Sequence, residues 1–385
     1  MDAMEPEKDI RISNGISIAR IIAMLWIFSV NYFLNNFRNY YGVEPRYATE
    51  KAANFINLMN SHPWFIDRFY FIFSYAGWSG VITFVFLSGF SLWFSILKSG
   101  RFNVGDYGLK RFLGIYPAYF VSIIIAGIVV IIRRSLIPQK YDLAILLMGA
   151  VGFVDHVRAF NSPVWFITTI FLIYLFFPII PILYKRFRFI GILVFTLVCS
   201  FFMYNGPTNY MRFKESLYPL VPFWVFMCIG VLISHIVYKY LSKNKKLMNP
   251  LCILTILTGI YFLFRFIYLE PASNLQSAWE VKHRYVAGVI IALVCFSMGY
   301  LLPLRFYRVL RWFSRGTFAV FLYHYIFFPF LVPCIKPSYF SSHISIVLIA
   351  FYFVILICLS VLQGLFDEKI LIHVKRLFYE EHRIE

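Results

Sequence analysis

The chain has 385 residues, of which 61% are hydrophobic, 21% aromatic and only 14% charged; its mean hydropathy is +0.73. A soluble domain carries roughly 45–50% apolar and about 25% charged residues, so this chain has too little polar surface to cover a water-facing globule. The same balance excludes intrinsic disorder, a coiled coil and a disulfide-stapled scaffold. The net charge of +18 would suggest nucleic acid on a soluble chain. On a membrane chain it is first a matter of which loops hold the cations.

A transmembrane helix needs about 20 mostly apolar residues. Ten segments qualify, at roughly 16–34, 76–97, 115–132, 164–184, 189–204, 218–238, 250–268, 284–302, 316–334 and 345–365. An eleventh stretch, Leu143 to Val154, is too short to cross and suits an interfacial or re-entrant segment. The fold class expected is all-α: a polytopic integral membrane bundle of about ten helices. Residues 1–15 form an N-terminal tail, 16–365 one membrane domain and 366–385 a C-terminal tail. No small-residue cleavage site follows the first apolar run, which reads as a retained helix.

With ten crossings both termini share one side. The loops and tails of that side hold 21 Lys and Arg, against 12 in the longer loops opposite. The termini are therefore expected in the cytoplasm, with the chain in the cytoplasmic membrane. Topology then accounts for most of the charge, and no nucleic-acid partner is expected. The six cysteines lie in apolar runs without CxxC or Cys/His clustering, so neither a metal site nor a disulfide framework is expected.

Polar residues inside hydrocarbon are costly, which makes each a functional candidate. Arg20 and Asn31 lie eleven residues apart in the first segment. That is close to three turns, so they share a helix face about 16 Å apart along the axis. The second segment reads Gly80-Val81-Ile82-Thr83-Phe84-Val85-Phe86-Leu87-Ser88-Gly89-Phe90, and its Ser88-Gly89 pair permits close helix approach. Lys110 and Arg111 stand at the start of the third segment, ahead of Tyr116-Pro117. Cations beside a helix N-terminus suit a phosphate-bearing ligand.

Taken together, these stretches resemble the membrane-bound acyltransferase-3 family. The family carries an Arg, ten residues and a His in its first helix, then a G-V-x-x-F-F-x-L-S-G-F helix and a basic R-x-x-R-I-Y-P-type stretch. Further on it has a Trp nine residues before a Tyr, and near the end a Y-L-x-H helix. Those places hold Arg20, Gly80 to Phe90, Lys110 to Tyr119, Trp165 with Tyr174 and Pro178, and Phe321-Leu322-Tyr323-His324, in order over about residues 12 to 365. Four positions depart: Asn31 replaces the family's histidine, Ile170 and Phe171 stand where many members have carboxylates, and Gly114 replaces the second Arg of the basic stretch. An amide cannot act as a general base.

The resemblance implies a membrane O-acyltransferase moving an acyl group, acetyl foremost, from cytoplasmic acyl-CoA to a hydroxyl of a cell-surface or lipid-linked glycan. Arg20, Lys110, Arg111 and Tyr116 would bind the donor, and Asn31 and His324 would serve catalysis, without a metal. Counted from the expected cytoplasmic helix ends, His324 lies about 12 Å deep and Asn31 about 22 Å, a mismatch of about 10 Å. His62 and the Asp155-His156 pair fall in the outer loops and read as exposed or structural. The partners expected are acyl-CoA, a glycan acceptor, the lipid bilayer and, as a further candidate, a second copy of the chain. The alternative reading is a non-catalytic relative, an exporter of glycan or lipid or a sensor, favoured by Asn31, Ile170 and Gly114.

Overall fold

The computed structural model describes residues 4–41, 79–132, 165–205, 220–241, 244–268, 277–331 and 344–366. They form ten helices, with no strand among them: α1 (Met4–Tyr41), α2 (Ser79–Ser99), α3 (Val104–Ile132), α4 (Trp165–Phe176), α5 (Ile179–Asn205), α6 (Leu220–Ile236), α7 (Lys245–Tyr268), α8 (Ser277–Leu301), α9 (Tyr307–Leu331) and α10 (Ile344–Phe366). By length and apolar character, four stretches of the described residues can cross a membrane singly: 7–29, 79–99, 104–129 and 223–240. The count reaches six if each of two bent pairs is one span. The short apolar stretch from Leu143 to Val154 lies outside the described residues.

Several helices start earlier than the apolar runs suggest. α1 begins at Met4, so most of the stretch read as an N-terminal tail is helix. α3 begins at Val104, after Asn103, whose side-chain oxygen accepts the Asp106 backbone N–H at 3.1 Å and caps the helix. Lys110 and Arg111 therefore sit about two turns inside α3, not at its N-terminus. α2 ends on Gly100 at φ 65°, the left-handed conformation that glycine adopts without a Cβ penalty.

Two buried clusters flank α1 and α2. On one side Met24 and Phe28 pack with Val85, Trp93, Tyr119, Ile167, Met227, Leu322 and Tyr352. On the other, Ile12, Ala19 and Trp26 pack with Phe86, Phe90, Cys295 and Phe296. α2 and α6 touch at backbone distance: a Cβ on Gly89 would run into the Met227 carbonyl, and one on Gly230 into that of Phe86. Small residues at such crossings let dispersion contacts accumulate where lipid supplies no hydrophobic drive. The close approach expected at Ser88-Gly89 is thus made against α6.

Two breaks shape the bundle. Arg188, at φ 56° and ψ −150°, interrupts α5. A Cβ on Gly191 would stand 3.1 Å from the Leu183 carbonyl oxygen, eight residues back. In a straight helix eight residues span about 12 Å, so the chain folds back at Arg188. The second break follows α8, where Pro303 and a 3-10 turn, Leu304–Phe306, turn the axis by 110° into α9.

Candidate functional site

α1 and α9 run in the same direction and meet through two polar pairs. The Ser17 hydroxyl donates to Ser314 at 3.3 Å near one end, and Asn31 Nδ2 lies 2.9 Å from His324 Nε2 at the other. The expected depth mismatch of Asn31 and His324 is therefore corrected: the two residues touch. The count failed because the two apolar runs do not start level: Ser17, one residue into the first run, meets Ser314, two residues before the start of the ninth. From the Ser17–Ser314 contact, Asn31 is 14 residues along α1 and His324 ten along α9, about 21 Å and 15 Å.

The chemistry of this pair follows from the backbone. His324 is fully buried, and its Nδ1 lies 2.7 Å from the Phe321 carbonyl and 3.0 Å from that of Val320. Carbonyls only accept, so Nδ1 carries the proton and donates. In the neutral ring Nε2 then holds the lone pair, and the Asn31 amide must present N–H to it. Phe28, Phe321 and Tyr352 enclose the pair: the Phe28 ring lies 6.3 Å from the imidazole and 5.4 Å from Tyr352. Tyr352 is itself held by donating to the Ile21 carbonyl at 2.9 Å. The ensemble is an oriented imidazole with an amide donor aimed at its basic nitrogen.

About 16 Å back along α1 a second polar centre surrounds Arg20. Its Nη2 donates to Ser91 at 3.4 Å. One turn away on α2, Ser88 accepts the Tyr174 hydroxyl at 3.2 Å, and the Tyr174 carbonyl accepts the Tyr107 hydroxyl at 2.9 Å. The Arg111 guanidinium lies 5.7 Å from the Tyr174 ring centre, and its Nε is buried with no hydrogen-bond partner among the described residues. The two guanidiniums are within electrostatic reach of each other and of Tyr174. Two partly buried cations facing neutral hydroxyls form a site suited to an anion with several oxygens.

Not every candidate joins these centres. Lys110 is exposed, and Tyr116 stacks along α3 on Phe112 at 4.7 Å and near Phe120 at 6.5 Å. Ile170 is buried in the apolar core, beside partly buried Phe171. His235 is buried, accepts the Trp93 indole N–H at 3.3 Å and lies among Tyr184 and Phe189, which flank the Arg188 fold-back. His62, Asp155 and His156 lie outside the described residues. Among the described residues no three His, Cys, Asp or Glu side chains group to hold a metal.

Sequence reasoning missed Ser91 and Tyr107. One signal was available for the first: Ser88 and Ser91 are spaced i, i+3 in an otherwise apolar helix, which puts both hydroxyls on one face. Comparison with curated proteins and with solved structures found no match. The acyltransferase-3 family model, described as an acyltransferase domain, matches residues 13–363. That range takes in both polar centres and every described helix except the first turns of α1 and the last residues of α10, and the chain belongs to this family of membrane acyltransferases.

Proposed function

We propose that this enzyme moves an acyl group, acetyl foremost, from acyl-CoA at the cytoplasmic face to a hydroxyl of a cell-surface or lipid-linked glycan. The observation that carries the reading is the Asn31–His324 pair at 2.9 Å, with the histidine tautomer set by the Val320 and Phe321 carbonyls. The family's histidine on α1 is replaced by Asn31, and the imidazole at the place of the family's Y-L-x-H motif, His324 on α9, lies beside that position. Arg20 and Arg111 hold the phosphates of the donor, and the roughly 16 Å from Arg20 to Asn31 along α1 is comparable with an extended phosphopantetheine arm. In this reading the bundle has ten crossings, both termini are cytoplasmic, and residues 16–365 form the catalytic domain between two short tails.

The reaction is one of displacement at the thioester carbonyl. The acceptor hydroxyl takes the place of the Asn31 amide at Nε2, and His324 removes its proton as the oxygen attacks. The charge on the resulting imidazolium is spread towards two carbonyls that already accept from Nδ1. Asn31, displaced from Nε2, donates its N–H to the carbonyl oxygen as that oxygen becomes negative. The carbon–sulfur bond then breaks, and the proton on Nε2 passes to the departing CoA thiolate. Purified protein in detergent with labelled acetyl-CoA and candidate envelope glycans tests the reading. Label in the glycan supports it; absence of transfer to every hydroxyl acceptor returns the chain to the non-catalytic reading, an exporter or sensor.

A further inference from the structure

The first turns of α9 carry a feature that acyl transfer does not use. Arg305, Arg308, Arg311 and Arg315 are all exposed, and none forms an ion pair with a carboxylate among the described residues. Arg308, Arg311 and Arg315 recur at i, i+3 and i+7, which places them in one narrow stripe. Beside the stripe lie exposed Leu304, Phe306 and Val309, and partly buried Trp312. The 110° turn after α8 sets this segment well away from antiparallel to the helix before it. A helix with a cationic stripe, exposed apolar flanks and an aromatic at the boundary is the form that settles at a membrane interface.

The intramolecular partners of these arginines are few. Arg311 Nη1 donates to the Tyr307 hydroxyl at 2.8 Å, one turn back, and Arg305 lies over the adjacent Phe306 ring at 5.1 Å. Both contacts are neutral and local, so they orient the guanidiniums without cancelling their charge. By contrast, Lys98 on α2 is paired with Asp9 at 2.5 Å and Arg11 with Glu7 at 3.0 Å. Those two cations are neutralised within the protein, while the α9 stripe has no carboxylate partner among the described residues and is left for an external anion.

We propose that residues 304–315 form an interfacial segment that binds the headgroup phosphates of anionic phospholipids, with Arg308, Arg311 and Arg315 as the contacts. Charge complementarity selects the occupant: the stripe adjoins the apolar side chains that reach the acyl region, so the anion it meets is fixed at the bilayer surface. Guanidinium forks match phosphate oxygens, and each cation close to an anionic surface is worth about fivefold in partition. The segment also leads directly into the α9 turns that carry Ser314 and His324, so lipid bound here holds the helix at the end where it is registered against Ser17.

The test is native mass spectrometry of the full chain released from nanodiscs of mixed phosphatidylglycerol and phosphatidylcholine. The parent is expected to retain phosphatidylglycerol selectively, and the triple variant R308Q/R311Q/R315Q to lose that selectivity by at least about tenfold. K246Q, on an exposed lysine of α7, serves as the comparison at equal charge per site. Equal retention by parent and triple variant overturns the proposal, as does a loss in K246Q as large as that in the single variant R311Q, measured beside it. Displacement of the lipid by millimolar inorganic phosphate also overturns it, since the stripe would then be a phosphate site without a membrane component. A monodisperse triple variant that still binds acyl-CoA keeps the result from being read as unfolding.

Discussion

Asn31 and His324 are 293 positions apart in the chain, and their side-chain nitrogens meet at 2.9 Å. The amide points its N–H at the only ring nitrogen that can hold a lone pair, because the other donates to the Phe321 and Val320 carbonyls. The contact has two consequences. It orients the imidazole of α9 beside the position where the first helix carries Asn31 in place of the family's histidine, and it occupies Nε2, the nitrogen that the proposed reaction needs free.

Replacement of His324 by Ala is therefore expected to lower kcat by about 10²–10⁴-fold, the usual contribution of a positioned acid–base group. Acyl-CoA affinity should be unchanged, because Arg20 lies about 16 Å back along α1 from Asn31 and Arg111 stands on α3 beside Tyr174 of the same arginine centre. Single-turnover transfer and donor binding, measured side by side on H324A, separate the two effects. Full activity in H324A would remove the imidazole from the mechanism and leave the base to the outer loops or to the acceptor.

At the other centre, Arg20→Ala and Arg111→Ala should each weaken acyl-CoA binding. The loss corresponds to a charge-assisted hydrogen bond, about 1.5–3 kcal/mol. Because both guanidiniums face one ligand, the double variant should fall short of the summed effects. Lys110→Ala should change affinity little, since that side chain is exposed and stands outside the cluster of Tyr174, Ser88 and Ser91. Calorimetric titration with acetyl-CoA checks all four variants; unchanged affinity in both single arginine variants would return these cations to a purely topological role.

The same helices set a stability expectation. Gly89 and Gly230 let α2 and α6 meet backbone to backbone, and a Cβ at either would run into a carbonyl of the other helix. Gly89→Val should lower the melting temperature in detergent, with a cost at the upper end of the 1–3 kcal/mol typical of overpacking. Gly114→Val makes the contrast, since nothing stands within 4 Å of a Cβ there. An equal loss in both variants would mean that the crossing is looser than the contact implies.

Much of this arrangement was legible in the chain, and the failures have physical causes. The eleven-residue spacing of Arg20 and Asn31 fixes a common face on any α-helix, whatever packs against it. Ser88-Gly89 signals close approach because small residues in an apolar helix have few other uses. The meeting of Asn31 with His324 was missed because hydropathy locates the apolar part of a helix and not its first turn. Both α1 and α9 start in polar turns that read as loop by hydropathy yet are helical, so the edges of the apolar runs do not set the register that Ser17 and Ser314 set. Tyr107 gave no signal either: a tyrosine in a basic stretch has no spacing that ties it to Tyr174, and only the fold brings its hydroxyl to that carbonyl.

The sidedness of the chain can be read directly. Lys246 is exposed at the start of α7 and belongs to one of the cation-rich loops. A single cysteine placed there, in a background with the native cysteines replaced, should react with a membrane-impermeant maleimide only in inverted vesicles. Labelling in right-side-out cells would reverse the orientation and move the arginine centre to the outer face, out of reach of acyl-CoA.

Asn31→His gives the sharpest test of the exchange between α1 and α9. His324 Nδ1–H is committed to two carbonyls, so its Nε2 can only accept while the ring is neutral. An imidazole at position 31 must then donate one N–H to it, as the amide does, and its second nitrogen carries a lone pair facing away from His324. The variant regains a base on α1 while keeping the contact that registers the two helices. Transfer should be equal to the parent or faster, and His324→Ala should cost less in the Asn31→His background than in the parent. That difference is the coupling a double-mutant cycle measures. Additive losses would mean that the two positions act independently, and an inactive Asn31→His with donor binding intact would mean that the amide itself, as donor to the developing oxyanion, is what the reaction requires.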